Sequence, residues 1–308
     1  MDEHDDIYPL ARDDRESQRL NAQHQLIVKS CDNYLLDPSI PRHGIRSVAD
    51  IATGTGIWLA DFADELTTSA LADTQFEFIG FDISALQFPT EVKPGFNFVV
   101  HNMTTPFPTQ YHNRYDVVNV RLVFGAIPKE QYATVAKNLL AVLKPGGYIT
   151  WTEFQLDSPH DIWPGPILSH LKSTLCDYLS SVNLSLAPMV EIRAAFEANK
   201  LQDIVARDFV SFRHPELATE AQVWLKAALG ALNPTSLARL GRVGSMEAAV
   251  GKWLGYEREI EEAYEKGVVP ACPVVSLVGK KEDSRGLVKR GVEEIWKVLT
   301  DGGWCVVQ

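Results

Sequence analysis

The chain has 308 residues, 45% hydrophobic and 22% charged, enough for one large α/β domain with insertions or for two small domains. A formal net charge of −11 gives no electrostatic help to nucleic-acid phosphates, which disfavours DNA or RNA partners. The acidic start, MDEHDDIYPLARDDRESQR, lacks the apolar core of a signal peptide, and no stretch approaches the about 18 apolar residues of a membrane span. The expectation is a soluble cytoplasmic protein with no membrane partner.

Residues 13–30, DDRESQRLNAQHQLIVKS, carry Leu20, Ile27 and Val28 at helical spacing without Gly or Pro, and predict a helix. DPSIP then breaks the chain. Alternating strands and helices follow, with strands predicted at 47–52, 76–83, 96–102, 115–123 and 147–154. The helix KEQYATVAKNLLAVL lies between the last two and is stopped by LKPGG. This alternation means a mostly parallel sheet with helices on both faces. After residue 155 two more helices are expected, then strands at 204–213 and 273–281. The mostly helical residues 216–268 between those strands are too long for a hairpin and read as a cap. A last amphipathic helix is expected around Val288, Val292, Ile295, Trp296 and Leu299.

The segment VADIATGTGIW raises the question of what its glycine turn holds. A dinucleotide fingerprint needs a third glycine where Leu59 stands, and no Gly-Lys-Ser/Thr follows to make a phosphate loop. The four cysteines, Cys31, Cys176, Cys272 and Cys305, have no ligand-like spacing and read as free thiols; no metal set is visible.

What fits is the pattern acid-x-G-x-G-x-G, written here as Asp50, Ala52, Gly54 and Gly56. It resembles motif I of the class I S-adenosylmethionine-dependent methyltransferases. FIGFDIS, VVHNMTTPFP, RYDVVNVRLVFGAI and LLAVLKPGGYITWTE resemble that family's later segments, in order over residues 47–154. The outer segments, YPLARDDRESQRLNAQHQLI, DPSIP and VRLVFGAI, resemble the small-molecule methyltransferases of fungal secondary metabolism. The implied fold is a Rossmann-like seven-stranded, mostly parallel sheet with an N-terminal lid helix and a helical cap. The organisation expected is a lid over 1–45, a cofactor-binding core over 46–155, the rest of the sheet with an acceptor cap over 156–282, and a tail over 283–308.

The resemblance implies S-adenosyl-L-methionine as cofactor and a small-molecule acceptor, methylated on O or N. It implies that Asp50 holds the methionine end and that Asp82 accepts from both ribose hydroxyls, as a carboxylate can. Asn102 and the Met103 amide are expected at the adenine, with His101 competing for that position from the opposite strand face. Tyr8 is expected at the methionine carboxylate. Ala52 replaces the family's first glycine and is expected to have negative φ. The absence of an Asp/Asn-Pro-Pro-Tyr tetrapeptide, where VRLVFG stands, argues against base methylation.

A general base helps if the acceptor is a hydroxyl or a protonated amine. His24 is the first candidate, on a helix face shared with Glu16, Arg19, Leu20 and Gln23. Arg121 and Glu153 lie at the carboxyl edge of the sheet, as an anchor for an anion and a second candidate base. Trp58 is expected in the core. Trp151, Trp163, Trp224 and Trp253 are candidates for lining an acceptor pocket. Two competing readings are a cyclase that rearranges its substrate without methyl transfer and a regulatory relative that works through partners.

Overall fold

Ser47–Ile51 form β1, buried at all five positions because a strand lies on either side of it and helices cover both faces. Its neighbours are β2 (Glu77–Asp82) and β4 (Tyr115–Arg121); β3 (Phe96–Val100), β5 (Leu143–Phe154), β6 (Gln202–Val210) and β7 (Pro273–Lys280) complete a seven-stranded sheet ordered β3-β2-β1-β4-β5-β7-β6. The first five strands are parallel, and β7 runs antiparallel to both β5 and β6. The computed structural model describes residues 12–68, 71, 74–156, 162–210, 214–271 and 273–283. The expected C-terminal helix lies outside them.

Alternation along the strands sorts side chains to two faces. Val48, Phe78 and Val117 meet Trp58, Leu59 and Phe62 of α2 (Ile57–Thr68) on one face. Ala49, Val118 and Ile149 meet α3 (Tyr132–Val142) and α5 (Pro188–Ala198) on the other. A third apolar cluster joins α1 (Asp14–Ser30) and α4 (Pro166–Ser181) to α6 (Ala218–Arg239) and α7 (Met246–Glu265). It includes Phe154 at the end of β5, so it sits against the carboxyl edge of the sheet. α6 and α7 fill the interval between β6 and β7, as the length of that interval predicts.

Two local readings change. The N-terminal helix starts at Asp14 because Asp13 caps it, its Oδ1 accepting from the Glu16 amide at 2.8 Å. β5 starts at Leu143, before the Pro-Gly-Gly expected to separate helix from strand. Leu143 pairs with Tyr115, and the register then shifts to Val117 with Tyr148. The irregularity absorbs Pro145 and Gly146, the latter at φ +80°.

The β1–β2 register sets Gly80 beside Asp50, the acid of the glycine turn. A Cβ on Gly80 would stand 2.7 Å from both Phe98 Cδ1 and Thr53 Cγ2. Gly80→Ala is expected to lower the free energy of unfolding by about 1–3 kcal/mol, measured by urea denaturation.

Candidate active site

Strand order reverses at β1 and β4, and in open α/β sheets ligands bind beyond the carboxyl ends of strands at such a point. A cavity of about 420 Å³ lies there, walled by the loops after β1 to β4, by α1, and by α4 and α6. Asp50, Ala52, Gly54, Asp82, Asn102, Met103, His24 and Arg121 all line it. Gly56 and Glu153 do not, and Tyr8 lies outside the described residues.

The turn after β1 is fixed by its own bonds. The Thr53 amide donates to Phe81 O at 3.0 Å, and the Gly56 amide donates to Thr53 O at 2.9 Å. To make that bend Ala52 takes φ +55°, against the expectation of negative φ. The left-handed conformation is a requirement of the turn, and alanine meets it at some cost because its Cβ is the smallest a chiral residue can carry. Gly56 has φ +73°, and a Cβ there would stand 2.8 Å from Phe98 Cε1, so its role is in packing the turn onto β3.

Asp50 is buried, and its two oxygens accept from Thr53 Oγ1 and Asn119 Nδ2, each at 2.7 Å. Burial pushes its carboxyl above the usual range, while the Arg121 charge and these two bonds pull it down. Asn119 was not singled out from sequence. The signal was the pairing of β4 with β1, which sets it directly opposite Asp50. Asp82 Oδ2 accepts from the Gly54 amide at 2.9 Å and Oδ1 from the Ser84 amide at 3.2 Å. Burial raises its carboxyl too.

His101 and Asn102 both face the cavity, contrary to the expectation of opposite faces. β3 ends at Val100, so strand alternation no longer applies to them. The His101 ring packs on Phe107 with centroids 4.0 Å apart. Asn102 Oδ1, expected to be an adenine acceptor, already accepts from the Thr104 amide at 3.0 Å and Thr104 Oγ1 at 2.9 Å. The side-chain carbonyl is engaged in closing its own turn. Asn138 Nδ2 donates to Met103 O at 3.0 Å, which ties the same loop to α3.

His24 is 2% exposed and bonded at both ring nitrogens. Arg121 Nη1 lies 3.1 Å from Nδ1, and Asp61 Oδ2 lies 3.0 Å from Nε2. A guanidinium only donates, so Nδ1 accepts and the proton sits on Nε2, directed at Asp61. The lone pair that a general base would use is therefore already occupied. Burial, reinforced by the Arg121 charge, lowers the imidazole to about 4. In this geometry both ring nitrogens are engaged, and the ring ties α1 to Arg121 and Asp61. Asp61 was missed, although it lies three residues after Trp58 on α2 and so near the same face.

Arg121 is half-buried, lining the cavity with its guanidinium 5.9 Å from the Trp58 ring centroid. Among the described residues its side-chain hydrogen bond goes to neutral His24, not to a carboxylate. Asp50 and Asp61 act on it through charge alone. Burial pushes the Cys31 thiol up to about 12, so it is not a reactive thiolate.

Glu153 is 0% exposed, behind the cavity wall and outside the lining. Its Oε1 accepts from the Val123 amide and Trp151 Nε1, each at 2.9 Å, and Oε2 accepts from the Phe124 amide at 3.2 Å. Burial pushes it up to about 7 against the pull of those donors. The expected acceptor base is instead a brace for the loop after β4, where Leu122 adopts φ +56°. Of the four tryptophans, Trp163 and Trp224 line the cavity; Trp151 packs on Tyr132 in the core and Trp253 lies against Gly230. Trp224 Nε1 donates to Gln23 Oε1 at 3.0 Å, joining α6 to α1. Among the described residues no cluster of His, Cys, Asp or Glu could hold a metal, and no helix is long and apolar enough to cross a membrane.

This sheet order, glycine turn and acid at the end of β2 define a nucleoside-binding α/β enzyme class. The family model described as a methyltransferase domain matches residues 22–187. The chain is 32% identical over 216 residues to methyltransferase grgD of a Penicillium species, covering 68% of this chain and 75% of that protein. It is 28% identical over 200 residues to N-methyltransferase gliN of Aspergillus fumigatus, covering 64% and 68%. With N-methyltransferase sirN of Leptosphaeria maculans it shares 32% over 149 residues, covering 48% and 50%. The chain belongs to this methyltransferase family and is an S-adenosylmethionine-dependent methyltransferase. The cavity fits that cofactor. It offers a carboxylate beside an open turn for a cis-diol, and a half-buried guanidinium that no carboxylate among the described residues is bonded to, for an anionic end.

Two outcomes test this geometry. Ala52→Gly removes the left-handed strain and is expected to raise stability by about 0.5–1 kcal/mol in chemical denaturation. His24 has a folded pKa below its unfolded value, so the stability it brings is present above pH 6.5 and lost as pH falls toward 4. The advantage of wild type over His24→Gln should shrink by about 2 kcal/mol between about pH 7.5 and pH 5.

Proposed function

We propose that this chain methylates an O or N atom of a small-molecule secondary metabolite, with the cavity holding cofactor and acceptor together. The observation that carries the reading is the continuity of one cavity from Asp82 and Gly54 to Trp163 and Trp224. The names of gliN and sirN favour nitrogen over oxygen. When bound, S-adenosylmethionine would supply an activated methyl group to an acceptor lone pair, its demethylated sulfur product keeping the electron pair. The acceptor proton passes to water.

The chain's own part is to position and to exclude solvent. Asp82 accepts from the ribose hydroxyls, and its bonds from Gly54 and Ser84 hold its oxygens in place for them. The loop from His101 to Thr104 receives the adenine, with the Met103 amide, rather than the engaged Asn102 carbonyl, as its polar contact. Arg121 pairs with the methionine carboxylate, and His24 and Asp61 hold the guanidinium in register. Asp50, held by Thr53 and Asn119, lies on the side of the methionine ammonium. Residues 1–45 act as the lid, with α1 as its described part, and residues 216–268 as the acceptor cap.

Calorimetric titration with S-adenosylmethionine and S-adenosylhomocysteine tests the assignment. Wild type should bind both, and Asp82→Ala should weaken both by at least about thirtyfold, the loss of two hydrogen bonds to a charged group. Binding of neither ligand by wild type would withdraw the proposal.

A further inference from the structure

The cavity has two unlike walls. Every ionisable side chain that lines it belongs to residues 12 to 121. From residue 122 onward the described lining side chains are apolar or aromatic, with Gln131 the one amide among them. Phe154 and Trp224 stack there with centroids 4.7 Å apart, and Trp163, Leu175, Leu229 and Leu232 complete the surface. The Trp224 indole nitrogen is already bonded to Gln23. These side chains are the inner surface of the apolar cluster that α4, α6 and the end of β5 build together.

We infer that the acceptor of this methyltransferase is an uncharged, predominantly apolar molecule, seated on the wall formed by Phe154, α4 and α6. The inference rests on the cofactor reading above, which gives the polar wall to S-adenosylmethionine. A carboxylate or an ammonium moved against the second wall would lose its hydration and find no opposite charge in exchange, with Gln131 as the one amide side chain there. A neutral apolar body gains by burial there. The same wall holds no titratable group to take the acceptor's proton. The reacting atom must therefore present a lone pair while uncharged: a neutral nitrogen, or a hydroxyl oxygen, whose proton leaves to water as the methyl is taken.

Three probes of one shape and different charge test this by calorimetry at about pH 7.5: naphthol, naphthoate and naphthylmethylammonium, neutral, anionic and cationic there. With S-adenosylhomocysteine bound, naphthol should bind at least about tenfold more tightly than either charged probe. Equal or tighter binding of a charged probe overturns the inference. Failure of S-adenosylhomocysteine to bind is read separately, in its own titration, and removes the cofactor reading on which the inference rests. Ala228→Asp, on α6 in the same wall, should weaken naphthol by about tenfold and narrow the gap to the cation. Unchanged naphthol affinity in that variant, checked for folding by its melting transition, overturns the location. Leu232→Gln serves the same purpose if the aspartate variant does not fold.

Discussion

A guanidinium half-buried at the carboxyl edge of a sheet imposes conditions on everything around it. Taking such a charge out of water costs several kcal/mol, roughly, unless neighbours compensate. In this fold the compensation around Arg121 comes from four directions. The His24 ring accepts from it, the Trp58 face lies near it, and the charges of Asp50 and Asp61 act on it. Those groups sit on α1, α2 and β1, so satisfying one cation draws three elements against the end of β4. The position of α1 over the glycine turn, with Leu20 Cδ1 3.4 Å from where a Gly54 Cβ would be, follows from the same closure.

The sheet and the helices α4 and α6 line different parts of the cavity. Strands β1 to β4 deliver polar groups through their carboxyl-end loops, where backbone amides and short side chains converge on Asp82 and Asp50. α4 and α6 contribute apolar and aromatic lining. Glu153 connects the two halves: it binds the amides of Val123 and Phe124, whose neighbours Leu122 and Gly125 face the cavity. The fully buried carboxylate thus shapes a wall that it never touches.

Much of this was legible in the sequence, for physical reasons that can be named. Strand–helix alternation and the motif around Asp50 identify the sheet, because buried parallel strands must be apolar and a tight turn must be small. Seven strands and the helical interval between the last two follow from segment lengths. What could not be read is pairwise geometry. Nothing in HQLIVKS says that His24 will be held at both nitrogens, since Asp61 and Arg121 approach from other elements. Asn119 lies beside Asp50 only through strand register. The motif position of Ala52 was visible; its left-handed backbone was not, because alanine seldom adopts it.

Two strongly perturbed groups of the interior, Glu153 and His24, have a consequence for proton balance. Between about pH 4.5 and pH 6.5 the unfolded chain carries Glu153 ionised and His24 protonated, whereas the folded chain carries both neutral. Folding in that interval takes up a proton at the carboxylate and gives one up at the imidazole. The net exchange of the pair is zero, so its two contributions to the pH dependence of stability cancel. Its titration stays hidden from a melting curve of the intact protein, while a substitution at either position uncovers the other.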